Sequence, residues 1–238
     1  MFRKKRQENL PKIIFEDSRL LVIDKPYFWA TLRDLREKTE LQKWLEKEVF
    51  FAEEKGIFKR RSGIVHRLDK ETSGLLLVAK NSKDFKDLQE QFANRQVKKE
   101  YFALAKGETT KEGIIQAPIK RQKNYKNKWR VYPMGKSAKT SYERLNIYID
   151  GGQAYSLLKV KPETGRTHQI RVHLKYLGFP LAGDQLYSSS KDKKLFPRLF
   201  LHASFLSFKH PQTEKIISIN SPIPYELVSI LAKLKEKK

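Results

Sequence analysis

The segment HRLDKETSGLLLVAK, residues 66–80, sets one short acid, Asp69, between Arg67 and Lys70 and directly ahead of an uninterrupted apolar run. A carboxylate at the rim of a core can attack an electrophilic carbon or accept a proton from one, provided something keeps it ionised against desolvation. The ordinary alternative is a turn or helix cap, since D-K-x-T-S-G is good turn chemistry and Asp readily accepts a backbone N–H two residues on. His66, Arg67, Asp69, Thr72, Ser73 and Gly74 stand together before a buried strand. That combination favours chemistry, because loops on a rigid sheet are where reactive groups are commonly presented.

A second cluster lies between Lys120 and Ser141, KRQKNYKNKWRVYPMGKSAKTS. It carries Lys120, Arg121, Lys123, Lys126, Lys128, Arg130, Lys136 and Lys139 with no acid, and interleaves Tyr125, Trp129 and Tyr132. Cations neutralise phosphates, and aromatic faces stack on unpaired bases at about 1–3 kcal/mol per base. Lys120, Arg121, Trp129 and Arg130 are the RNA-contacting candidates; the competing account is a solvated loop with a few packing aromatics. His66, His168 and His173 are the histidines near these segments, and at a strand end or helix start such a residue is more often a structural hydrogen-bonder than a proton shuttle. Gly165 and Arg166 are expected to shape the turn ahead of the next helix, with Arg166 also placed to meet a phosphate.

The composition sets the frame for these clusters. The 238 residues hold 50 Lys plus Arg against 27 Asp plus Glu, a net charge of +23. Self-repulsion of that size opposes compaction, and polyanion binding is its usual reason. The cations are dispersed rather than gathered on one amphipathic helix, which favours nucleic acid over a membrane surface. Hydrophobic residues at 39%, with 14 Phe and 10 Tyr, supply enough apolar surface for a core. The absence of Cys excludes disulfides and thiolate metal sites, and the five His include no H-E-x-x-H, so no metal is expected. No run is long and apolar enough for a membrane helix and none reads as a signal peptide, so a cytoplasmic location is expected; no protein partner is implied, and a monomer is expected.

The elements that must position these groups follow from periodicity. A basic leader over residues 1–12 precedes a single domain over 13–238. IIFEDSRLLVIDKP (13–26) reads as two strands around an Asp-Ser turn, and 32–55 as one helix ended by Gly56. GLLLVAK (74–80) is a strand covered on both faces, and Asn81 or Ser82 caps a helix to about Asn94. VKKEYFALAKG (97–107) alternates as a strand, and more strands are expected near 138–149, 153–161, 199–208 and 214–219. Within 164–178 a turn at Gly165 leads into a helix capped by Thr167 and stopped by Gly178; Ile170, Leu174 and Leu177 dock, while Arg171 and Lys175 form an adjacent charged stripe. The chain closes in a helix over IPYELVSILAKLKEKK. The expected fold is α+β: a mixed, mostly antiparallel twisted central sheet flanked by helices, with a catalytic cleft across it.

HRLDKETSGLLLVAK, KKEYFALAKG, ETGRTHQIRVHLKYLGFPLAGDQLY and LHASFLSFKHP, in that order, closely resemble the sequence blocks of the RluA family of RNA pseudouridine synthases. The resemblance runs from about Ile14 to Pro222. It implies that Asp69 is the family's invariant catalytic aspartate, that Tyr101 packs on the target base and that Arg171 pairs with Asp69. It further implies that Arg67 helps open the RNA around the extruded base and that Leu174 or Val172 lines the uracil pocket; His66, beside Arg67, is a further RNA-contacting candidate. Taken alone, Arg171 would read as an exposed helix cation and Tyr101 as a core aromatic. The implied reaction breaks the N1–C1′ bond, turns the uracil and joins C5 to C1′, an isomerisation that needs no cofactor. A bidentate arginine that stays protonated offsets the burial of the acid, and extruding the base costs a few kcal/mol.

Two stretches depart from the family pattern: YFWATLRDLREK after VIDKP, and SSSKDKK after GDQLY. The small RNA-binding S4 domain of some relatives is not expected. The residues leave open whether Asp69 attacks C1′, adds to C6 or acts as a base in a glycal route. A noncatalytic RNA-binding protein on the same scaffold, and a base-flipping glycosylase that releases the base, are the rival functions.

Overall fold

The structure, a computed structural model, describes residues 10–32, 37–49, 51, 55–123, 125, 128–188 and 196–237. Most of the basic leader, part of the divergent 27–35 stretch and nearly all of the one after Tyr187 lie outside the described residues. In chain order the elements are β1 (Lys12–Glu16), β2 (Leu20–Lys25), α1 (Glu40–Glu48), α2 (Gly56–Arg61), β3 (Ser73–Ala79), α3 (Ser82–Ala93), β4 (Lys98–Lys106), β5 (Glu112–Gln116), β6 (Ile119–Arg121) and β7 (Trp129–Val131). They continue with β8 (Lys139–Asp150), β9 (Gln153–Pro162), α4 (Gln169–Tyr176), β10 (Leu201–Lys209), β11 (Ile216–Asn220), α5 (Tyr225–Leu231) and β12 (Lys235–Glu236). The fold is α+β with a mostly antiparallel sheet. The chain divides into two compact units, Met1–Lys98 with Phe205–Ser221, and Lys99–Ser204 with Pro222–Lys238. No helix among the described residues is long and apolar enough to cross a membrane.

In the first unit β1, β2 and β3 form an antiparallel meander, with Leu20 opposite Ala79 and Lys25 opposite Gly74. The turn between β1 and β2 is closed by Asp17, whose Oδ1 accepts the backbone N–H groups of Arg19 (2.7 Å) and Leu20 (2.9 Å). β3 is buried along its whole length, as its unbroken apolar run requires. Leu20, Val22, Leu75 and Leu77 from the strands meet Phe85 and Leu88 of α3 and Leu206 and Phe208 of β10 in one core. Each such side chain contributes about 1.5–3 kcal/mol on burial. α3 starts as expected, with Asn81 Oδ1 accepting the Asp84 N–H at 3.0 Å.

Of the long helix expected over 32–55, the described residues hold α1 alone, Glu40–Glu48, and residues 33–36, 50 and 52–54 lie outside them. α1 begins at Thr39, where a capping box closes the first turn: Thr39 Oγ1 accepts the Gln42 N–H (3.2 Å) and Gln42 Oε1 accepts the Thr39 N–H (3.1 Å). Gly56, expected to end a helix, starts α2 at φ +77.

The second unit is built on β8 and β9, a long hairpin turned by Gly151 and Gly152 at φ +52 and +82. β4 lies along β9, β5 and β12 lie along β8, and β6 and β7 form a separate small hairpin. Leu104, Tyr155, Leu157, Phe196, Phe200, Leu227 and Ile230 make one core. The closing helix is shorter than its sequence pattern suggests: α5 ends at Leu231, and Lys235–Glu236 return as a strand opposite Tyr148 and Ile149.

Candidate active site

In the first unit, Asp69 stands in a tight turn immediately ahead of β3, closed by the Thr72 N–H donating to the Asp69 carbonyl at 3.0 Å. The residues on both sides of the acid are fixed. Thr31 Oγ1 donates to the Leu68 carbonyl at 2.8 Å, and Leu68 itself is 4% exposed. The ammonium of Lys25, buried completely, donates to the carbonyls of Pro26 and Trp29 at 2.9 Å and reaches that of Lys70 at 3.5 Å. A buried lysine persists only where polar groups replace its water, and here backbone oxygens do so. Gly74 enters β3 at φ +113, a conformation glycine adopts without strain. The turn is therefore set on rigid supports, with Asp69 half-buried among them.

The neighbours divide into structural and exposed. His66 accepts the Leu77 N–H at Nε2 (3.0 Å) and stacks on Phe92 at 4.4 Å, a packing role. Arg67 is exposed, and its charge together with burial lowers the pKa of Arg61, burial being the larger cause. Lys70 lays its ammonium 3.7 Å from the centre of the Phe28 ring.

In the second unit Tyr101 lies on β4 opposite Val160 of β9, half-buried. Arg171 lies on α4, and it is not the exposed cation that helix periodicity alone would suggest. Its Nε donates to Asp184 Oδ2 and its Nη2 to Asp184 Oδ1, both at 2.7 Å, with the side chains 1% and 0% exposed. Asp184 Oδ1 also accepts the N–H groups of Leu186 (2.9 Å) and Tyr187 (3.0 Å), and the Arg171 guanidinium sits 5.3 Å from the Tyr187 ring centre. Gly183, just before the acid, is at φ +70, and a Cβ there would meet the Arg198 carbonyl oxygen at 2.0 Å. Sequence reasoning did not single out Asp184, although it stands in the ETGRTHQIRVHLKYLGFPLAGDQLY block and is the only carboxylate between Glu163 and Asp192.

The turn that leads into α4 is fastened by Gln169 rather than by Thr167. Gln169 Oε1 accepts from Thr164 Oγ1 (2.7 Å) and the Arg166 N–H (3.0 Å), while its Nε2 donates to the Lys139 carbonyl and Thr140 Oγ1, both at 2.9 Å. His168, at φ 55, is the residue before the helix. Gly165 has an open surrounding and no left-handed φ, so the turn does not depend on it. Arg166 donates from Nε to the Ser137 carbonyl at 3.0 Å. One turn along α4, His173 is fully buried between Thr140 Oγ1 and the Ala117 carbonyl, each at 2.9 Å, and burial pushes its imidazole below the usual range.

Val172 packs with Ile119, Ala138 and Tyr187, and Leu174 is wholly buried. Lys120, Arg121, Trp129 and Arg130 lie on the β6–β7 hairpin; of the neighbouring segment, Asn124, Lys126 and Asn127 lie outside the described residues. Trp129 is joined to the same assembly as Arg171: its backbone N–H donates to the Tyr187 hydroxyl (2.9 Å), which also meets His168 Nδ1 (2.9 Å). Among the described residues no three His, Asp or Glu side chains gather as a metal site would require.

A family described as RNA pseudouridylate synthase matches residues 19–176. A ribosomal large subunit pseudouridine synthase D from Nitrosomonas europaea is 38% identical over 239 residues, covering 92% of this chain and 64% of that one. An uncharacterized RNA pseudouridine synthase of Chloroflexus aurantiacus is 41% identical over 177 residues, covering 74% of this chain and 55% of that one. The chain thus spans somewhat more than half the length of these relatives. Among solved structures, human RNA Pseudouridylate Synthase Domain Containing 1 superposes with a TM-score of 0.75 at 28% identity, over 96% of this chain and 89% of that one.

Proposed function

Because this chain belongs to the RNA pseudouridylate synthase family, we propose that it isomerises uridine to pseudouridine in ribosomal RNA, using Asp69 and no cofactor. The observation that carries this is that the family match over 19–176 takes in the Asp69 turn, Tyr101 on β4 and Arg171 on α4. The target is a structured RNA, ribosomal or transfer, and the likeness to a ribosomal large subunit pseudouridine synthase of Nitrosomonas europaea supports the ribosomal choice. Asp69 acts as nucleophile or as proton acceptor from C5, and Tyr101 offers the detached ring an apolar face. Arg171 is carried over from the family resemblance as a further residue of the catalytic set, and Arg67 meets the RNA around the extruded base. The enzyme works as a cytoplasmic monomer. The rigid seating of the Asp69 turn supports this assignment, since a reactive group must be held within a fraction of an ångström of its productive position.

The test is pseudouridine mapping by carbodiimide labelling and reverse-transcription stops in total RNA from cells with and without the gene. Loss of the modification at one or a few ribosomal sites is the expected outcome and names the uridine. An unchanged profile in growing cells would remove the proposal, and free uracil with an abasic sugar would replace it with a glycosylase.

A further inference from the structure

We propose that the outward face of the β6–β7 hairpin is a seat for phosphates of the RNA backbone, formed by Lys120 and Arg130 beside the ring of Tyr132. This rests on the functional reading above only for the identity of the polyanion. The hairpin's cross-strand partners are Ile119 with Val131, Lys120 with Arg130, and Arg121 with Trp129. Directly opposed residues of an antiparallel pair share a face and successive ones alternate. Ile119, Val131, Arg121 and Trp129 therefore occupy one face, and Lys120 and Arg130 the other.

The first face is already used. Ile119, Trp129 and Val131 pack with Ala138, Val172 and Tyr187. The indole has the His168 ring edge-on at 4.8 Å and the Arg121 guanidinium at 5.8 Å from its centre. Protein groups surround the ring that the sequence pattern marks as a platform for bases. The second face carries two exposed cations directly opposite one another, an arrangement that is destabilising in itself. Among the described residues neither Lys120 nor Arg130 has an ion-pairing carboxylate. What they share is Tyr132, with the ammonium 5.2 Å and the guanidinium 4.8 Å from its ring centre. Tyr132 is held at the base of the hairpin by its N–H to the Pro118 carbonyl at 2.9 Å. Two like charges fixed side by side repel until an anion with several oxygens lies across them, and successive phosphates of a nucleic acid supply that. Through Trp129 and Tyr187 the seat is tied to α4, so a phosphate bound there is registered against the helix that bears Arg171.

Binding of the full chain to a uridine-containing RNA stem–loop is followed by fluorescence anisotropy across a salt series. The wild type is compared with Lys120→Ser/Arg130→Ser and with Lys86→Ser/Lys215→Ser, a control that removes two exposed cations of the first unit; thermal melting checks that each folds. The seat variant is expected to lower the slope of log K against log salt by about 1.4–1.8, the release expected for two phosphate contacts. The control is expected to lower it by less than half of that. A seat variant with the wild-type slope, or a control that falls equally, overturns the proposal. Tyr132→Leu is expected to leave the slope intact with Kd within about threefold, whereas a salt-independent loss of about tenfold or more marks base stacking instead and also overturns it. Pseudouridine mapping reads the functional assignment separately: a wild type that makes none while the slope falls as expected sinks that assignment and leaves the seat standing.

Discussion

Arg171 and Asp184 meet edge to edge, thirteen residues apart in sequence, with two hydrogen bonds of 2.7 Å and almost no exposure of either side chain. Removing both ions from water costs several kcal/mol each, and the cost is met only when geometry and hydrogen bonding are complete. Here they are well provided for, since the carboxylate also takes two backbone N–H groups. The plane of the guanidinium is fixed by the protein before any substrate arrives.

Truncating one partner leaves the other charge buried and unpaired. Asp184→Ala is expected to lower unfolding free energy by about 3–5 kcal/mol in urea titrations. Arg171→Met combined with Asp184→Leu should recover most of that stability and abolish uridine isomerisation. A loss below about 1 kcal/mol for Asp184→Ala would show that the pair does not hold the fold.

Asp69 sits on fixed supports and is only half-buried, so its charge can be removed at little structural cost. Asp69→Asn is expected to stay within about 0.5 kcal/mol of wild-type stability. It should bind RNA within about threefold of the wild type and form no detectable pseudouridine. Equal isomerisation by wild type and variant would deny the acid its role.

His173 is held neutral by burial, the larger influence, against the opposing pull of the Ala117 carbonyl. Its folded pKa is thus below the unfolded value of about 6.5. Above that value both states are neutral and the associated stability is complete; as pH falls below it the unfolded chain binds the proton first, and stability declines until the folded pKa is passed. The melting temperature should therefore drop on acidification from about pH 6.5. His173→Gln should remove that part of the slope, as read by melting curves of both proteins across the range.

Gly183 and Gly165 flank α4 and differ in what a methyl group would meet. Gly183→Ala forces a left-handed φ and a collision with the Arg198 backbone, so a loss of about 1–3 kcal/mol or more is expected, with activity falling as Asp184 shifts. Gly165→Ala has open space and should be nearly neutral. Melting temperature and turnover of the two variants separate these outcomes.

What was legible in the chain follows the reach of each signal. Alternation and unbroken apolar runs are local, and β2, β3, β4, β8, β9 and the Asn81 cap stand where they are expected. The helix expected over 32–55 fails because apolar spacing continues across a boundary that T-E-L-Q at residues 39–42 marks as a start. The cap of α4 was assigned to Thr167 because hydroxyls are the usual acceptors, whereas a glutamine two residues later closes the turn. Arg171 shares a helical stripe with exposed Lys175, so periodicity cannot report that it is sealed. Asp184 escaped because its significance lies in a tertiary pairing with no sequence period. The aromatic residues of 120–141 were recognised as a group, but which of them face inward depends on the register of the hairpin.

β12 matters beyond its two residues. β8 has β9 along one side; on the other, β5 covers Lys139–Glu143 and β12 covers Tyr148 and Ile149. An uncovered margin of so long a strand is a template on which a second copy can add its own strand. Without Lys235 and Glu236 part of that margin would be bare, so the pairing of this short strand shields it from strand addition.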